Sequence, residues 1–190
     1  MRQRYLVLPA LYVFICLACV LFPDISYEVE PISSGMLLPQ FTLAGPITAD
    51  AQRYLGLKNP EPFSLSQISS RLIFVELFSV LCRDCQREAP NINKLYNYIQ
   101  KDPELEKGVK LIGIGMRSDN KKIQVYKTSF NVKFPLFPDP DNTIFDKLGD
   151  PKVPFFMVIN NAGKVLMTHF GPIKDLDEFF SQIKKIYGRR

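Results

Sequence analysis

Along the first 35 residues the hydrophobic and polar positions separate into blocks. No charged residue occurs from Tyr5 to Phe22; Arg2 and Arg4 precede the apolar run, and Asp24, Glu28 and Glu30 follow it. At about 1.5 Å per residue the run spans roughly 27 Å, close to the roughly 30 Å of a bilayer's hydrocarbon core. The charge asymmetry predicts a membrane-inserting segment over residues 1–26, with its N-terminus in the cytoplasm and the rest of the chain outside. An uncleaved anchor has two rivals. A cleaved signal lacks a small-x-small pattern after Phe22, and a lipoprotein at Cys19 has Leu17-Ala18 before it but Cys16 and a continuing apolar run against it. Residues 27–35, polar and punctuated by proline, read as a linker to a domain over 36–190.

Beyond the linker the pattern changes period. "MLLPQFTL" (36–43) predicts a short strand, and residues 44–62, rich in proline and glycine, a loop with one or two helical turns. "RLIFVELF" (71–78) and "VKLIGIGM" (109–116) are short, continuous and apolar, as buried strands are. From Cys85 to about Gln100, apolar Ala89, Ile92, Leu95, Tyr96 and Ile99 recur three or four residues apart, which predicts a helix with one buried face and a kink at Pro90. "NKKIQVYKTSF" (120–130) predicts a second helix, with Ile123, Tyr126 and Phe130 on one side. "FPLFPDPDNTIFDKLG" (134–149) reads as a proline-rich connection ending in a short helix. "PFFMVIN", "NAGK" and "VLMTHF" (154–170) predict strand, turn and strand, and Leu176, Phe179, Phe180, Ile183 and Ile186 a closing helix. The predicted fold class is α/β, a mixed central sheet flanked by helices.

Charge and composition then exclude several functions. The net charge of +5 is spread along the chain with no basic stripe among aromatics, which argues against nucleic acid. Gly113 and Gly115 form a lone G-x-G without the third glycine of a dinucleotide site and read as packing glycines. Of four cysteines only Cys82 and Cys85 lie in the domain, and His169 is the single histidine. Three such ligands fall short of a structural zinc site, and one pair three residues apart closes almost no loop, so it adds little as a staple. Chemistry explains the pair better. If a helix begins near Cys82, unpaired N–H groups and the positive end of the helix dipole favour a thiolate there. Arg83 supports that charge and Asp84 opposes it. Cys85, one turn further in, is shielded. Glu76, by strand alternation, is a carboxylate placed among apolar residues, where burial raises its pKa and fits it for proton transfer.

These residues resemble the thioredoxin superfamily, and most closely its membrane-anchored TlpA/ResA-type thiol–disulfide oxidoreductases with a redoxin or AhpC-TSA-like domain. The resemblance covers about residues 36–188 and rests on Ser79 to Pro90 after an apolar strand, with "KVPFFMVIN" some seventy residues later. It implies that Cys82 is the nucleophile and Cys85 the resolving thiol. It further implies that Pro154 is a cis-proline shaping, with Val153, the groove for a partner chain, that Pro90 kinks the active-site helix, and that Glu76 and Glu88 handle protons. It implies protein thiols and disulfides as partners, a membrane protein as electron donor or acceptor, no cofactor, and a reductant role such as cytochrome c maturation. Two departures stand out: Leu81 replaces the usual aromatic before the first cysteine, and Arg83-Asp84 holds no proline.

Two other readings start from the same residues. A peroxiredoxin-like thiol peroxidase requires a proline seven residues before the cysteine, where this chain has Val75, although Ser79 meets a second requirement. A copper-binding assembly protein would use Cys82, Cys85 and His169, ligands soft enough for Cu(I), but those proteins separate their cysteines by three residues.

Overall fold

In the computed structural model, which describes residues 30–59 and 62–189, the run Leu72–Phe78 (β1) is buried at every position. Such a strand needs cover on both faces, and β1 is the centre of a five-stranded sheet. On one side β2 (Val109–Met116) pairs with it in parallel, and β3 (Leu136–Asp139) pairs in parallel with β2. On the other side β4 (Phe155–Asn160) runs antiparallel to β1, and β5 (Val165–Phe170) antiparallel to β4. Strand alternation divides the core in two. Leu72, Phe74 and Phe78 face a cluster that includes Ile92, Leu95 and Ile99 of α2 (Arg83–Lys101), Ile123 of α4 (Asn120–Ser129), and Phe179 and Ile183 of α6 (Leu176–Gly188). Ile73, Val75 and Leu77 face the opposite cluster, with Leu55 of α1 (Ala49–Leu55) and Ile144 and Phe145 of α5 (Thr143–Lys147). One further short helix, α3 (Leu105–Gly108), lies between α2 and β2 and has no signal in the apolar periodicity.

Several expectations are corrected. "MLLPQFTL" is not a strand; it makes only isolated bridges, Leu37 to Lys164 and Leu43 to Phe63, because Pro39 between them has no N–H to continue a ladder. The expected loop with one or two helical turns at 44–62 is found as such: Thr48 Oγ1 accepts the Ala51 N–H, and Gly56 ends the seven-residue α1 at φ 65°. The proline-rich connection contains β3, which tolerates Pro138 because it is an edge strand. The active-site helix starts at Arg83 with Cys82 as its N-cap, and it continues through exposed Pro90.

Both edges of the sheet are partly covered. Where β3 no longer accompanies β2, the Leu111 N–H donates to Tyr54 Oη at 2.7 Å, and Lys110 Nζ sits 4.8 Å from the centre of that ring. At the start of β5 and the end of α5 the incoming chain is held by four backbone hydrogen bonds: Gly35 N–H to Val165 O, Val165 N–H to Met36 O, Leu38 N–H to Gly163 O and Ile32 N–H to Leu148 O, each 2.9 Å. Among the described residues no helix is long and apolar enough to cross a membrane, and the proposed span at residues 5–22 lies outside them.

Candidate active site

The register of the central strand assembles the site. Leu77, next to the end of β1, lies opposite Phe155, the first residue of β4. The loop leaving β1 therefore meets the loop entering β4, and these two loops carry Cys82 and the Val153-Pro154 pair.

In the first loop, the Cys82 N–H donates to Ser79 O at 3.1 Å and Gln86 Nε2 to Val80 O at 2.8 Å. The turn delivers Cys82 to the N-cap of α2, where its Sγ accepts the Cys85 N–H at 3.3 Å. A side chain at this position meets helix N–H groups that have no intrahelical partner. Cys82 is half-buried and Cys85 wholly buried, both as free thiols. Burial first, then the hydrogen bond with Cys82, pushes the Cys85 thiol well above the ordinary range, with a Ser79 backbone hydrogen bond opposing. From the second loop, the Val153 carbonyl faces Cys82 Sγ at 3.8 Å, and the Val153-Pro154 peptide bond is cis. The Pro154 carbonyl accepts the Gly171 N–H at 2.9 Å, which joins this loop to the end of β5.

Glu76 and Glu88 lie on the cysteine side of the sheet. Glu76 alternates with Phe74 and Phe78 on β1, is 3% exposed, and has an Oε1 that is buried without a hydrogen-bond partner. Burial, with a smaller contribution from the charge of Glu88, pushes its pKa up to about 8. Glu88, three residues beyond Cys85 in α2, is buried too. Burial raises its pKa, while the Ile173 N–H (3.2 Å to Oε1) and Asn91 Nδ2 (3.5 Å to Oε2) work against that rise. The structure thus brings Cys82, Cys85, Glu76, Glu88, Val153 and Pro154 to one end of the sheet.

Arg83 and Asp84 point outward. Asp84 pairs with Arg87 at 3.2 Å, a surface ion pair that helix spacing allows but that the sequence reading did not weigh. Leu81, next to Cys82 in the chain, is 87% exposed, and Phe170, opposite Phe155 at the end of β5, is 60% exposed. Sequence reasoning also misses the Tyr126 hydroxyl, which donates to the Cys85 carbonyl; the periodicity shows Tyr126 only as part of an apolar helix face. His169 stands apart. It lies opposite Phe156 on β5, with its ring 5.4 Å from that of Phe179 and Nε2 3.4 Å from Pro172 O. Among the described residues no group of three or more His, Cys, Asp or Glu side chains is arranged to hold a metal ion.

The chain is similar to known proteins. The chain is 25% identical over 126 residues to the thiol-disulfide oxidoreductase ResA of Halalkalibacterium halodurans, covering 65% of this chain and 69% of that one. Against the thiol-disulfide oxidoreductase ResA of Bacillus subtilis it is 22% identical over 186 residues, covering 96% of this chain and 94% of the other. The crystal structure of a thiol:disulfide interchange protein of the thioredoxin family from Chlorobium tepidum superposes with a TM-score of 0.58 at 17% identity, covering 84% of this chain and 100% of that one. That likeness establishes the thioredoxin-like fold. A Redoxin family model matches residues 33–183, a span that holds both cysteines, both glutamates and the cis-proline, and the chain belongs to the Redoxin family.

Proposed function

We propose that this thiol–disulfide oxidoreductase works outside the cytoplasmic membrane, tethered by its N-terminal segment, and exchanges a Cys82–Cys85 disulfide with thiols of other proteins. One observation carries the reading: a half-buried sulfur at a helix N-cap, facing the Val153 carbonyl, accepts the backbone N–H of a residue whose own thiol is wholly buried. This is the geometry of an attacking and a resolving sulfur.

In the reducing direction, the Cys82 thiolate attacks one sulfur of a partner disulfide. The S–S bond breaks and the far sulfur leaves as a thiolate, which gives a mixed disulfide. Cys85 then loses its proton and attacks Cys82 Sγ, the partner's second sulfur departs, and two electrons have passed from the Cys82–Cys85 pair to the partner. Oxidation of a partner is the same path reversed. Because Cys85 resists ionisation, its proton needs a nearby acceptor at the moment of attack. Glu76, with a pKa pushed up to about 8, supplies one in the fraction of molecules where it is ionised at neutral pH, and returns the proton in the reverse direction. Glu88 supports the same exchange: a charge on either carboxylate makes the other harder to ionise.

Val153 and Pro154, with exposed Leu81 next to Cys82, form the surface on which a partner segment lies. The names of the ResA relatives support thiol–disulfide exchange with proteins, and the charge-free stretch at residues 5–22 supports the tether. A membrane protein resupplies or removes electrons, and reduction of an apocytochrome disulfide to the thiols needed for haem attachment is the role proposed for the domain.

The experiment is trapping. Cys85→Ser accumulates mixed disulfides with partner proteins, visible as thiol-sensitive bands on a gel, while Cys82→Ser accumulates few or none. Equal trapping by both variants contradicts the assigned roles. A couple near about −250 mV identifies a reductant, and one near about −150 mV an oxidant.

A further inference from the structure

The mechanism above makes no use of Tyr126. Its side chain is buried in α4, and its hydroxyl donates to the Cys85 carbonyl at 3.0 Å across a separation of 41 residues. Its ring lies against two others, with centroids 4.7 Å from Phe78 and 4.7 Å from Phe130. Phe78 is the last residue of β1, and Cys85 lies in the first turn of α2. Tyr126 therefore touches both ends of the segment 78–85 that carries the cysteine pair, through its ring at one end and its hydroxyl at the other.

The rest of the sheet fixes this clamp. The Phe78 ring covers Gly113 and Gly115 of β2, where an added Cβ would come within 3.2 Å of it. The absence of side chains at these two glycines creates the bed in which Phe78 rests, and Phe78 in turn locates Tyr126. The hydroxyl also shares the electrostatic environment of the reaction: after burial, the charges of Glu76, Cys85 and Cys82 all oppose its ionisation. It remains a donor, with the positive end of its O–H dipole directed at the backbone of the resolving cysteine. A dipole so placed favours negative charge on the attacking sulfur, which exists only in the reduced pair.

We propose that Tyr126 is a positioning residue that sets the redox equilibrium of the Cys82–Cys85 couple, by holding the first turn of α2 through the Cys85 carbonyl and presenting its O–H dipole to the reduced pair. The inference rests on the assignment of Cys82 and Cys85 as the exchanging pair. The equilibrium concerned is protein disulfide plus two glutathione thiols giving the reduced protein, with a Cys82 thiolate and a Cys85 thiol, plus glutathione disulfide and one proton; two electrons and one proton pass to the protein and one S–S bond is exchanged for another. Tyr126 favours the reduced side.

The test uses the full-length chain in mild detergent, with Cys16 and Cys19 replaced by serine so that only one pair titrates. Tyr126→Phe keeps every ring contact and removes the hydroxyl. It is expected to shift the equilibrium constant with glutathione about threefold to tenfold towards the disulfide, a potential lower by ~15–30 mV. Phe130→Leu removes the ring on the other side of Tyr126 and leaves the hydroxyl in place. It is expected to lower the unfolding midpoint without moving the equilibrium constant, which separates loss of packing from loss of the donor. A reversible couple that Tyr126→Phe leaves unchanged, or that both variants shift equally, overturns this proposal alone. A parent protein without a reversible couple overturns the oxidoreductase assignment and this proposal with it.

Discussion

Glu76→Gln tests the reasoning about buried charge most directly. In the folded protein Glu76 ionises at about 8 against an ordinary 4.5, so the native state holds this proton more tightly than the unfolded chain does. The sign is the reverse of that for a salt-bridged carboxylate. The favourable contribution is complete below the unfolded value of about 4.5 and is lost as pH rises through about 8. Each pH unit inside that window costs about 1.4 kcal/mol, so between about pH 5 and about pH 8 the wild-type domain loses roughly 3–4 kcal/mol through this group. Glutamine is as polar as the protonated acid but cannot ionise. The variant should match the wild type near about pH 5 and exceed it by roughly 3–4 kcal/mol near about pH 8. Urea unfolding of the reduced proteins at a series of pH values provides the comparison. Glu88, also raised by burial, contributes with the same sign to both proteins, so the difference between the two curves is the informative quantity. Parallel curves would refute the account, because they would mean that the Glu76 carboxylate is solvated as well in the folded protein as in the unfolded chain.

Tyr54→Phe leaves the Leu111 N–H of β2 without its acceptor and should cost about 1–3 kcal/mol in unfolding free energy, read from the urea midpoint. Gly113→Ala drives a methyl group into Leu136 and the Phe78 ring; overpacking of this kind costs about 1–3 kcal/mol, and a variant as stable as wild type would show that the Phe78 bed is not close-packed. Leu81→Glu, at a side chain 87% exposed beside the attacking sulfur, should reduce capture of partner proteins by the Cys85→Ser variant severalfold while leaving its rate with a small aromatic disulfide within about twofold, because a lost apolar contact is worth about tenfold and the small reagent does not use it. Equal losses with both reagents would show that Leu81 acts on the sulfur and not on the partner.

The parts of this molecule that were legible in the sequence are those in which local pattern and tertiary environment agree. β1 and β2 are mostly apolar because both of their faces are covered, and α2 shows its buried stripe because only one face is. Glu76 could be singled out for the same reason: a charged residue inside a run that is otherwise wholly buried has nowhere else to go. β3 was hidden because Pro135 and Pro138 mimic a loop, and only its place at the edge of the sheet makes those prolines tolerable. The cis geometry at Pro154 came through family resemblance, since nothing local to "KVPFF" demands it. The bonds from Glu88 to the Ile173 N–H and from Tyr126 to the Cys85 carbonyl join residues 85 and 41 positions apart. Neither periodicity nor spacing within one element carries information about such pairs; they follow from the packing of α2 against β5, α6 and α4.

The four hydrogen bonds that hold the incoming chain between Ile32 and Leu38 have a mechanical meaning. Their partners are Leu148, Gly163 and Val165, and none lies in Ser79–Cys85 or at Val153-Pro154. A load applied at Glu30 is therefore borne first by this strap and the outer strand β5, while the parts that align the two sulfurs are strained only after the strap has peeled. A single-molecule pulling experiment from residue 30 should record the release of the strap as a separate, weaker event before the sheet gives way.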